Sequence, residues 1–361
     1  MRIVILGMGR SGRAAKALLE REGHELICLD QPDGVLPENV DQIVVSPGVP
    51  STHPILQNTD VEIIGEMELG LRRLKQRAIG VTGTNGKTTT TLFITHALRC
   101  SGKKARALGN IGTPLCEYLL LPDEEEIIVL EMSSFQLETC STRCLECGII
   151  LNITPDHLDR YADFDGYARA KCRMEGLCKK LYLGEGVKKI FETYSPTRDT
   201  HEYSEINFCA ELGVNAHLAK KSFVPPAHRF ELLRNLREVA FVNDSKATNI
   251  EAVRYALEKA NGPVLLLLGG RDKGANFAEL MNYSKKVRII FAFGEAGAKI
   301  EIELGSKCKR FATLEEAFAA ATADAKPGEM VLLSPACSSF DAFENYEKRG
   351  ERFKQMVEEL A

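Results

Sequence analysis

The residue types that most clearly indicate chemistry lie in one short run, Gly83-Thr84-Asn85-Gly86-Lys87-Thr88-Thr89. Its glycines leave backbone N–H groups free to surround phosphate oxygens, Lys87 can reach the outer phosphates, and the Thr88 hydroxyl can bind Mg²⁺. An apolar strand, Ala78–Val81, leads into the run, and a helix-like stretch continues to Cys100. This order of strand, loop and helix predicts a nucleoside triphosphate site, and we call residues 83–89 the glycine loop.

The spacing departs from the general pattern G-x-x-x-x-G-K-[ST], whose first glycine would fall on Val81. The form Gly-Thr-Asn-Gly-Lys-Thr resembles the ATP loop of the Mur ligases and of the related folylpolyglutamate synthases. Enzymes of both groups join a carboxylate to an amine. The resemblance implies that ATP is a cofactor of this chain, that the glycine loop binds it, and that Lys87 is catalytic.

Two predicted strands of the central block end in polar residues. Ile127–Leu130 has the pattern of a buried strand and leads into Glu131, while Asn110 lies at the end of another strand. Parallel strands deliver their carboxyl ends to one edge of a sheet. The Glu131 carboxylate is therefore expected near the phosphates, where Mg²⁺ needs a hard oxygen ligand.

A histidine motif follows the next strand and reads Thr154-Pro155-Asp156-His157-Leu158-Asp159-Arg160. It resembles the Mur ligase motif Asn-x-Thr-x-Asp-His-x-Asp-Arg. A lone histidine on a loop is usually a surface residue, whereas two flanking aspartates favour a functional role. We interpret His157 as a second-metal ligand or a substrate-orienting group.

Tyr167 and Lys171 are four residues apart in a helical stretch and should share one face. A lysine in such a place is ordinarily a solvated charge. The resemblance implies instead that CO₂ carbamylates Lys171, which would turn a cation into a carboxylate-like metal ligand. It further implies two Mg²⁺ sites, with ligands from Thr88, Glu131, His157 and Lys171.

The first block of the chain carries Gly7-Met8-Gly9-Arg10-Ser11-Gly12 after an apolar strand, with Asp30 at the end of the next strand. This is a dinucleotide fingerprint that alone would suggest an NAD enzyme, although any turn approaching a diphosphate needs the same glycines. Val44–Pro50 resembles the Ser-Pro-Gly turn of the D-glutamate-adding Mur ligases, and an ordinary strand-ending turn is the alternative. The resemblance implies that the UDP part of a substrate contacts Arg10, Ser11, Asp30 and Gly48.

Two runs in the second half, 227–231 and 242–249, resemble the His-Arg-Phe and Asn-Asp-Ser-Lys-Ala-Thr-Asn signatures of the same family. The alternative for the second run is a simple helix N-cap at Asp-Ser. The resemblance implies that Arg229 and Asp244 hold the nucleotide, since a guanidinium suits phosphate and a carboxylate suits ribose hydroxyls. Lys246 and Thr248 would face the reacting end.

The stretch from Lys179 to Phe223 departs from the family pattern because it is short. A family His-Asn-x-x-Asn-Ala run is reduced here to Ile206-Asn207-Phe208-Cys209-Ala210. Asn207 keeps the first asparagine and would contact adenine, whereas Ala210 replaces the second. This difference leaves the selectivity for the nucleotide base open.

The third block starts with a strand, Pro263–Leu268, and a glycine turn that leads to Lys273. On single-residue grounds Lys273 could equally be an exposed charge on a turn. Ser334–Phe343 resembles the Ser-Pro-Ala-x-x-Ser run of the D-glutamate-adding Mur ligases. The resemblance implies substrate contacts from Asn110, Ser133, Lys273, Ser339, Phe340 and Tyr346, with D-glutamate at the last four.

Composition excludes other classes of function. The 361 residues are 44% hydrophobic with a formal net charge of -4, and short lysine pairs are scattered without a basic stripe for nucleic acid. Apolar runs are too short to insert into a membrane, and no signal-peptide core precedes Gly7. The eleven cysteines lack the two paired C-x-x-C motifs of a zinc site and suit a reducing compartment. We expect a cytoplasmic protein, and a monomer.

Strands and helices alternate in three blocks, which predicts an α/β fold with parallel sheets. The expected domains are a Rossmann-like UDP-substrate domain at 1–76, a central P-loop ATPase domain at 77–262 and a Rossmann-like amino-acid domain at 263–361. The resemblance implies ATP-dependent ligation of D-glutamate to UDP-N-acetylmuramoyl-L-alanine through an acyl phosphate. Two alternatives remain: a sister ligase adding L-alanine or folate glutamates, and a binding protein that hydrolyses ATP without ligation.

Overall fold

The computed structural model describes residues 1–30, 34–57, 59–158, 160–195 and 199–360. Asp159, which belongs to the predicted histidine motif, lies outside the described residues. By their contacts the described residues form two compact units. The first unit comprises 1–155 and 160–224, and the second comprises 156–158 and 225–360.

The first unit begins with a parallel sheet in the strand order β2-β1-β3-β4. Its strands are β1 (Arg2–Leu6), β2 (Glu25–Leu29), β3 (Gln42–Val45) and β4 (Glu62–Gly65). The accompanying helices are α1 (Arg10–Arg21), α2 (Pro54–Gln57) and α3 (Glu66–Leu71). Helix α1 buries Ala14, Ala15, Leu18 and Leu19 at helical spacing, so one apolar face packs into the core while its charged residues face outward.

A second sheet of the first unit has the order β10-β9-β8-β5-β7-β6, and all its paired strands are parallel. Its strands are β5 (Ala78–Thr82), β6 (Ala105–Gly109), β7 (Ile127–Glu131), β8 (Leu145–Ile150), β9 (Cys178–Leu183) and β10 (His201–Glu202). Strand β5 is buried throughout, as expected for a central parallel strand. Strands β7 and β6 lie on one side of β5, and the next strand in the chain, β8, lies on the other side. This change of side creates the crevice where open α/β sheets bind ligands.

The helices around the second sheet follow its strands. They are α4 (Lys87–Cys100), α5 (Leu115–Tyr118), α6 (Ser134–Glu138), α7 (Phe164–Cys172), α8 (Met174–Leu177), α9 (Val187–Phe191), α10 (Glu205–Glu211) and α11 (Ala216–Ser222). Helix α4 starts at Lys87, within the glycine loop, so the sequence prediction of strand, loop and helix is confirmed.

The second unit is built on a sheet in the order β11-β12-β16-β13-β14-β15, parallel except for the β11–β12 pair. Its strands are β11 (Glu231–Leu236), β12 (Val239–Asn243), β13 (Val264–Gly269), β14 (Val287–Phe293), β15 (Cys308–Arg310) and β16 (Met330–Ala336). The helices are α12 (Ile250–Lys259), α13 (Gly297–Leu304), α14 (Leu314–Asp324) and α15 (Tyr346–Glu358), with 3₁₀ turns at Phe277–Tyr283 and Gly305–Lys307. Apolar clusters cover both faces of this sheet.

The three sheets confirm the expected α/β fold class, but one boundary falls elsewhere than the sequence placed it. Strand β12, assigned from sequence to the central block, pairs in parallel with β16, and Ala240 lies opposite Met330. Residues 225–262 therefore belong with the C-terminal sheet, which corrects the boundary at 262/263. Alternation of strands and helices shows that β12 exists but cannot show which sheet it joins.

Membrane insertion is a separate question from fold class. Of the helices in the described part of the chain, none combines the length and apolar character needed to cross a bilayer.

Candidate functional site

The glycine loop joins β5 to α4 and takes its shape from two glycines. Gly83 has φ 151° and Gly86 has φ 84°, both in the region that favours glycine. A Cβ at Gly83 would lie 3.0 Å from the Leu151 side chain, so it would crowd Leu151 in addition to straining the backbone. The first backbone N–H groups of α4 and the positive end of its dipole face this loop, which makes it suitable for phosphate.

Asn152, which follows β8, holds the glycine loop in place. Its Oδ1 accepts from the backbone N–H of Asn85 at 2.8 Å, and its Nδ2 donates to the Asn85 carbonyl at 3.1 Å. The Thr84 hydroxyl donates to the Thr154 carbonyl at 3.1 Å. Asn152 is the first residue of the motif Asn-x-Thr-x-Asp-His-x-Asp-Arg, but the sequence analysis assigned it no role.

Lys87 is the residue of the glycine loop that begins α4, and its side chain reaches back to the first residues of the loop. Its Nζ donates to the carbonyls of Gly83 and Thr84, each at 2.8 Å. Thr88 and Thr89 follow on the same turn and are half-buried. The loop thus places one cation, two hydroxyls and several backbone N–H groups at one sheet edge. These are the groups that bind a triphosphate in phosphate-binding loops.

The Glu131 carboxylate lies beside the glycine loop because β7 pairs with β5, with Glu131 opposite Val81. Its side chain is buried, and its Oε1 accepts from Asn110 Nδ2 at 2.7 Å. Among the described residues, no hydrogen-bond partner reaches the buried Oε2. A buried carboxylate oxygen without a donor is costly, and a hard divalent cation would satisfy it, so this position fits Mg²⁺.

Lys171 and Tyr167 share a face of α7, as predicted, and both are buried against the glycine loop. Lys171 Nζ lies 4.6 Å from the Tyr167 ring centroid and donates to the Gly83 carbonyl at 2.9 Å. The Tyr167 hydroxyl donates to Thr84 Oγ1 at 3.1 Å. In the part of the chain that is described, no three His, Cys, Asp or Glu residues group as a metal site. The ligand set that includes Thr88, His157 and Lys171 therefore stays a prediction.

The two turns predicted to grip UDP meet at the edge of the first sheet. Ser46 Oγ donates to the Gly7 carbonyl at 2.7 Å, and the Met8 backbone N–H donates to Asp30 Oδ1 at 2.7 Å. A Cβ at Gly12 would lie only 2.0 Å from the Gly7 carbonyl oxygen, so the fingerprint glycine is required by packing. Arg10 and Ser11 open α1 beside this turn, and Gly48 lies in the exposed part of the other turn.

Ser133 has a structural role that the sequence analysis did not assign. Its Oγ accepts from the Gln136 backbone N–H at 3.2 Å, and Gln136 Oε1 accepts from the Ser133 backbone N–H at 3.0 Å. This reciprocal pair is a capping box at the start of α6. A substrate contact from Ser133 remains a prediction beside this observed capping role.

In the second unit, Lys273 is ion-paired rather than exposed on a turn. Its side chain is 15% exposed, and its Nζ lies 2.6 Å from Asp156 Oδ1. Asn249 Nδ2 donates to Asp156 Oδ2 at 3.0 Å. Burial raises the pKa of Asp156, but the Lys273 charge, His157 and these hydrogen bonds outweigh it and lower the pKa to about 2. His157 is half-buried in a left-handed backbone conformation with φ 56°.

Asp244 follows β12 and is almost enclosed. Burial raises its pKa to about 7, although Ser334 Oγ and the Phe230 backbone N–H each donate to it at 3.0 Å and the Arg229 charge opposes the shift. The alternative reading of Asp-Ser as a helix N-cap is wrong. The cap of α12 is Asn249, whose side chain accepts from the Ala252 backbone N–H at 2.9 Å.

The other residues predicted for the second unit are partly brought together. Lys246 Nζ lies 3.8 Å from the Tyr346 ring centroid. Ser339 is buried, and no partner among the described residues reaches its Oγ. Thr248 is half-buried between β12 and α12, whereas Phe340 is 63% exposed.

Arg349 on α15 was missed by the sequence analysis. It is fully buried and donates to the carbonyls of Ser245 at 2.8 Å, Cys337 at 3.1 Å and Ser338 at 3.2 Å. These carbonyls lie in the loops after β12 and β16, which carry Lys246 and Ser339. A single guanidinium thus fixes two loops with predicted substrate contacts. An arginine in an amphipathic helix gives no indication of this role from sequence.

The chain matches the family described as Mur ligase middle domain over residues 81–182 and the family described as Mur ligase, glutamate ligase domain over 228–337. The structure of MurF ligase from Thermotoga maritima in complex with ADP is similar, with a TM-score of 0.66 and 16% sequence identity over 99% of this chain and 95% of that chain. This likeness shows the fold.

Curated relatives are closer in sequence. The chain is 37% identical to UDP-N-acetylmuramoylalanine–D-glutamate ligase of Protochlamydia amoebophila, over 99% of this chain and 98% of that protein. It is 33% identical to the ligase of the same name from Salinibacter ruber, with the same coverage.

A parallel sheet whose central strand opens into a glycine loop, with a buried carboxylate on the adjacent strand, defines a nucleotide-binding α/β protein of the phosphate-loop class. With the relatives above, the chain belongs to the UDP-N-acetylmuramoylalanine–D-glutamate ligase family of Mur ligases.

Proposed function

We propose that this chain uses ATP to join D-glutamate to the alanyl carboxylate of UDP-N-acetylmuramoyl-L-alanine, a cytoplasmic step of peptidoglycan precursor synthesis. The observation that carries the proposal is the Glu131 carboxylate, buried at the edge of the glycine loop with Oε2 unpartnered among the described residues. The substrates are those named for the curated relatives, which match the chain along nearly its whole length.

The chemical need for ATP follows from the carboxylate substrate. A carboxylate anion repels a nucleophile, so the γ-phosphoryl group of ATP first converts it to an acyl phosphate, which an amine can attack with loss of phosphate. The Lys87 ammonium at the centre of the glycine loop would stabilise charge on the transferring group. Glu131 and Thr88 would hold Mg²⁺ beside it.

The finer assignments extend this scheme. A second Mg²⁺ would be held with the help of His157 and of Lys171 in carbamylated form. Asn207 on α10 would contact adenine, and Arg229 and Asp244 would contact the remainder of the nucleotide. Native intact-mass measurement in bicarbonate without acidification would test the carbamate, because it adds the mass of one CO₂, and this addition should be lost in a Lys171→Met variant.

The substrate ends have separate predicted sites. Arg10, Ser11, Asp30 and Gly48 would bind the UDP part of the nucleotide substrate. Lys273 would bind a D-glutamate carboxylate, exchanging its present partner Asp156 for the substrate, and the buried Ser339 hydroxyl would accept or donate one further hydrogen bond.

The decisive experiment is phosphate release from ATP with Mg²⁺ and UDP-N-acetylmuramoyl-L-alanine, in parallel with D-glutamate, L-glutamate, L-alanine, glycine and no amino acid. We expect release only with D-glutamate. Release with another amino acid would indicate a sister ligase, and release without any amino acid would indicate an ATP-hydrolysing binding protein.

Two variants test whether phosphate release depends on the Glu131 carboxylate. Glu131→Gln removes the charge needed for a metal while keeping the shape, and we expect a loss of about 10²-fold or more in kcat. Glu126→Gln, which changes a buried carboxylate paired with Arg106 just before β7, is the matched control and should retain activity. Equal effects of the two changes would contradict a metal role for Glu131.

A further inference from the structure

Arg160 lies outside every role assigned above, yet its side chain makes unusually specific contacts in the first unit. Its guanidinium lies 3.9 Å from the Phe135 ring centroid, and its Nη1 donates to the Pro47 carbonyl at 2.7 Å. Its Nη2 is 3.6 Å from Glu138 Oε2. Arg160 therefore bridges the Ser46-Pro47 turn after β3 and helix α6.

These contacts surround a cavity of about 300 Å³ in the same unit. Arg160, Phe135, Ser46 and Pro47 are part of its wall, together with apolar side chains of β3, β4 and α3. The cavity adjoins the predicted diphosphate turn, because Ser46 Oγ donates to the Gly7 carbonyl. The position of the Ser46-Pro47 turn thus sets both the width of the cavity and the place of the Gly7 turn.

Phe135 is itself supported from behind, so the guanidinium packs on a fixed surface. The Phe135 ring stacks on Tyr161 with centroids 5.9 Å apart, and Tyr161 packs edge-on against Tyr167 at 5.4 Å. Tyr167 in turn donates to Thr84 in the glycine loop. A continuous row of rings therefore connects the cavity wall to the glycine loop.

An arginine suits this position better than a lysine. Its planar guanidinium can stack on the ring and still direct N–H groups in its plane toward the Pro47 carbonyl, whereas a lysine ammonium has no plane to stack. The side chain is only 22% exposed, so water competes weakly for these contacts. Removing it would uncover the ring and leave the Pro47 carbonyl without this donor.

We propose that Arg160 is a positioning residue for the UDP-linked substrate, acting by holding the Ser46-Pro47 turn over Phe135 and so fixing the cavity beside the diphosphate turn. The inference rests on the proposed function for the identity of that substrate. It predicts an effect on binding of the UDP-linked substrate and little effect on ATP or D-glutamate.

The test compares Arg160→Ala and Arg160→Lys with Arg106→Ala. Arg106 is the matched control, because its guanidinium also lies over a ring, Tyr118 at 5.5 Å, and pairs with a carboxylate, Glu126. In Arg160→Ala we expect KM for UDP-N-acetylmuramoyl-L-alanine to rise about tenfold or more, because small displacements in a binding site carry effects of this size. Values of kcat and of KM for ATP and D-glutamate should change less than about twofold.

Arg160→Lys should recover part of the affinity, and Arg106→Ala should leave all three KM values unchanged. A Phe135→Leu variant removes the stacking surface, and combining it with Arg160→Ala should give less than the sum of the two effects. An unchanged KM for the UDP-linked substrate in Arg160→Ala, or an equal change in Arg106→Ala, would overturn the inference.

Calorimetric binding of UDP-N-acetylmuramoyl-L-alanine separates this inference from the proposed function. Wild-type protein that binds this compound but does not turn it over would contradict the proposed function, while a weaker Kd in Arg160→Ala would still support the role of Arg160. Equal Kd values in the two proteins would refute that role. Failure of the wild-type protein to bind the compound would refute both.

Discussion

The glycine loop of the first unit and the loops of the second unit that carry predicted substrate contacts are held in different ways. Gly83 and Gly86 shape the glycine loop through their own backbone, and its hydrogen-bond partners follow the neighbouring strand β8. The loops after β12 and β16 are instead fixed by Arg349, which comes from the last helix. A site built on local backbone geometry is visible in sequence, whereas a site that depends on one remote side chain is not.

The largest effect expected from this comparison is on catalysis at the glycine loop. Lys87→Met should lower kcat by about 10³-fold, because the charge on the transferring phosphoryl group loses its cation. Stability should change little, since the half-buried ammonium is replaced by a chain of similar length. Steady-state phosphate release and thermal unfolding measure the two effects, with the exposed Lys104→Met as control. A large fall in melting temperature would mean that Lys87 holds the loop together.

At Arg349 we expect the reverse of the result at Lys87, with a larger effect on stability than on kcat. Arg349→Ala removes the donor to several buried carbonyls and should cost about 3–5 kcal/mol in the free energy of unfolding. The free energy of unfolding is measured by urea titration, with trypsin cleavage within the second unit as the probe of the unfolded fraction. Arg352→Ala, three residues along α15, removes an exposed pair with Glu315 and should leave the curve unchanged. A stable and fully active Arg349→Ala protein would show that the loops are fixed by other contacts.

Asp244 gives a smaller, pH-dependent effect within the second unit. Burial raises its pKa to about 7 from 3.8, so the folded protein binds a proton that the unfolded chain releases. The stability that this proton contributes is present at low pH and is lost as the pH rises from about 4 through about 7, with a slope of at most about 1.4 kcal/mol per pH unit.

The measurement is the free energy of unfolding between pH 4 and 8 for wild type and Asp244→Asn. The variant should lack this slope, so the difference between the two curves isolates Asp244 from the other carboxylates. Asp324→Asn, a surface carboxylate paired with Arg288, provides the same chemical change as a control. Parallel curves for wild type and Asp244→Asn would show that Asp244 is ionised throughout.

The smallest expected effect is at Asn152. It tests whether a side chain, in addition to the glycines, helps to fix the glycine loop. Asn152→Ala loses two reciprocal hydrogen bonds to Asn85, which should cost about 1–2 kcal/mol in stability and raise KM for ATP several-fold. Asn235→Ala on β11 of the second unit is a control for the loss of an amide side chain. If KM for ATP did not change, the glycines alone would determine the shape of the loop.

Much of the first unit could be predicted because its site residues lie at the ends of strands with clear apolar patterns. The prediction that Glu131 lies beside the glycine loop required only parallel pairing of β5 and β7. Asn110 was predicted only to end a strand, and the structure joins it to Glu131 by a hydrogen bond of 2.7 Å. The contacts of Asn152, Arg160 and Arg349 could not be found in this way, even though Asn152 itself follows strand β8. Their roles depend on which residues 67 to 113 positions away lie within reach.

The sequence also did not determine the roles of some single polar residues. Ser133, predicted to contact substrate, also closes a capping box, and Lys273, which could have been an exposed charge on a turn, is partly buried and ion-paired with Asp156. Both outcomes depend on neighbours in space. The residue type fixes which hydrogen bonds and ion pairs a serine or lysine side chain can make. The neighbours and the burial of that side chain determine which of them form.

The sequence by itself determined the phosphate loop, the order of strands and helices, and the family, because glycine spacing and apolar periodicity follow from backbone sterics and from burial of one face. Only the tertiary structure decided that β12 joins the C-terminal sheet, that Glu131 keeps one oxygen unpartnered among the described residues, and that Arg160 and Arg349 hold turns far from them in sequence. These features arise from long-range pairing and desolvation, which depend on the whole packed core rather than on any local run of residues.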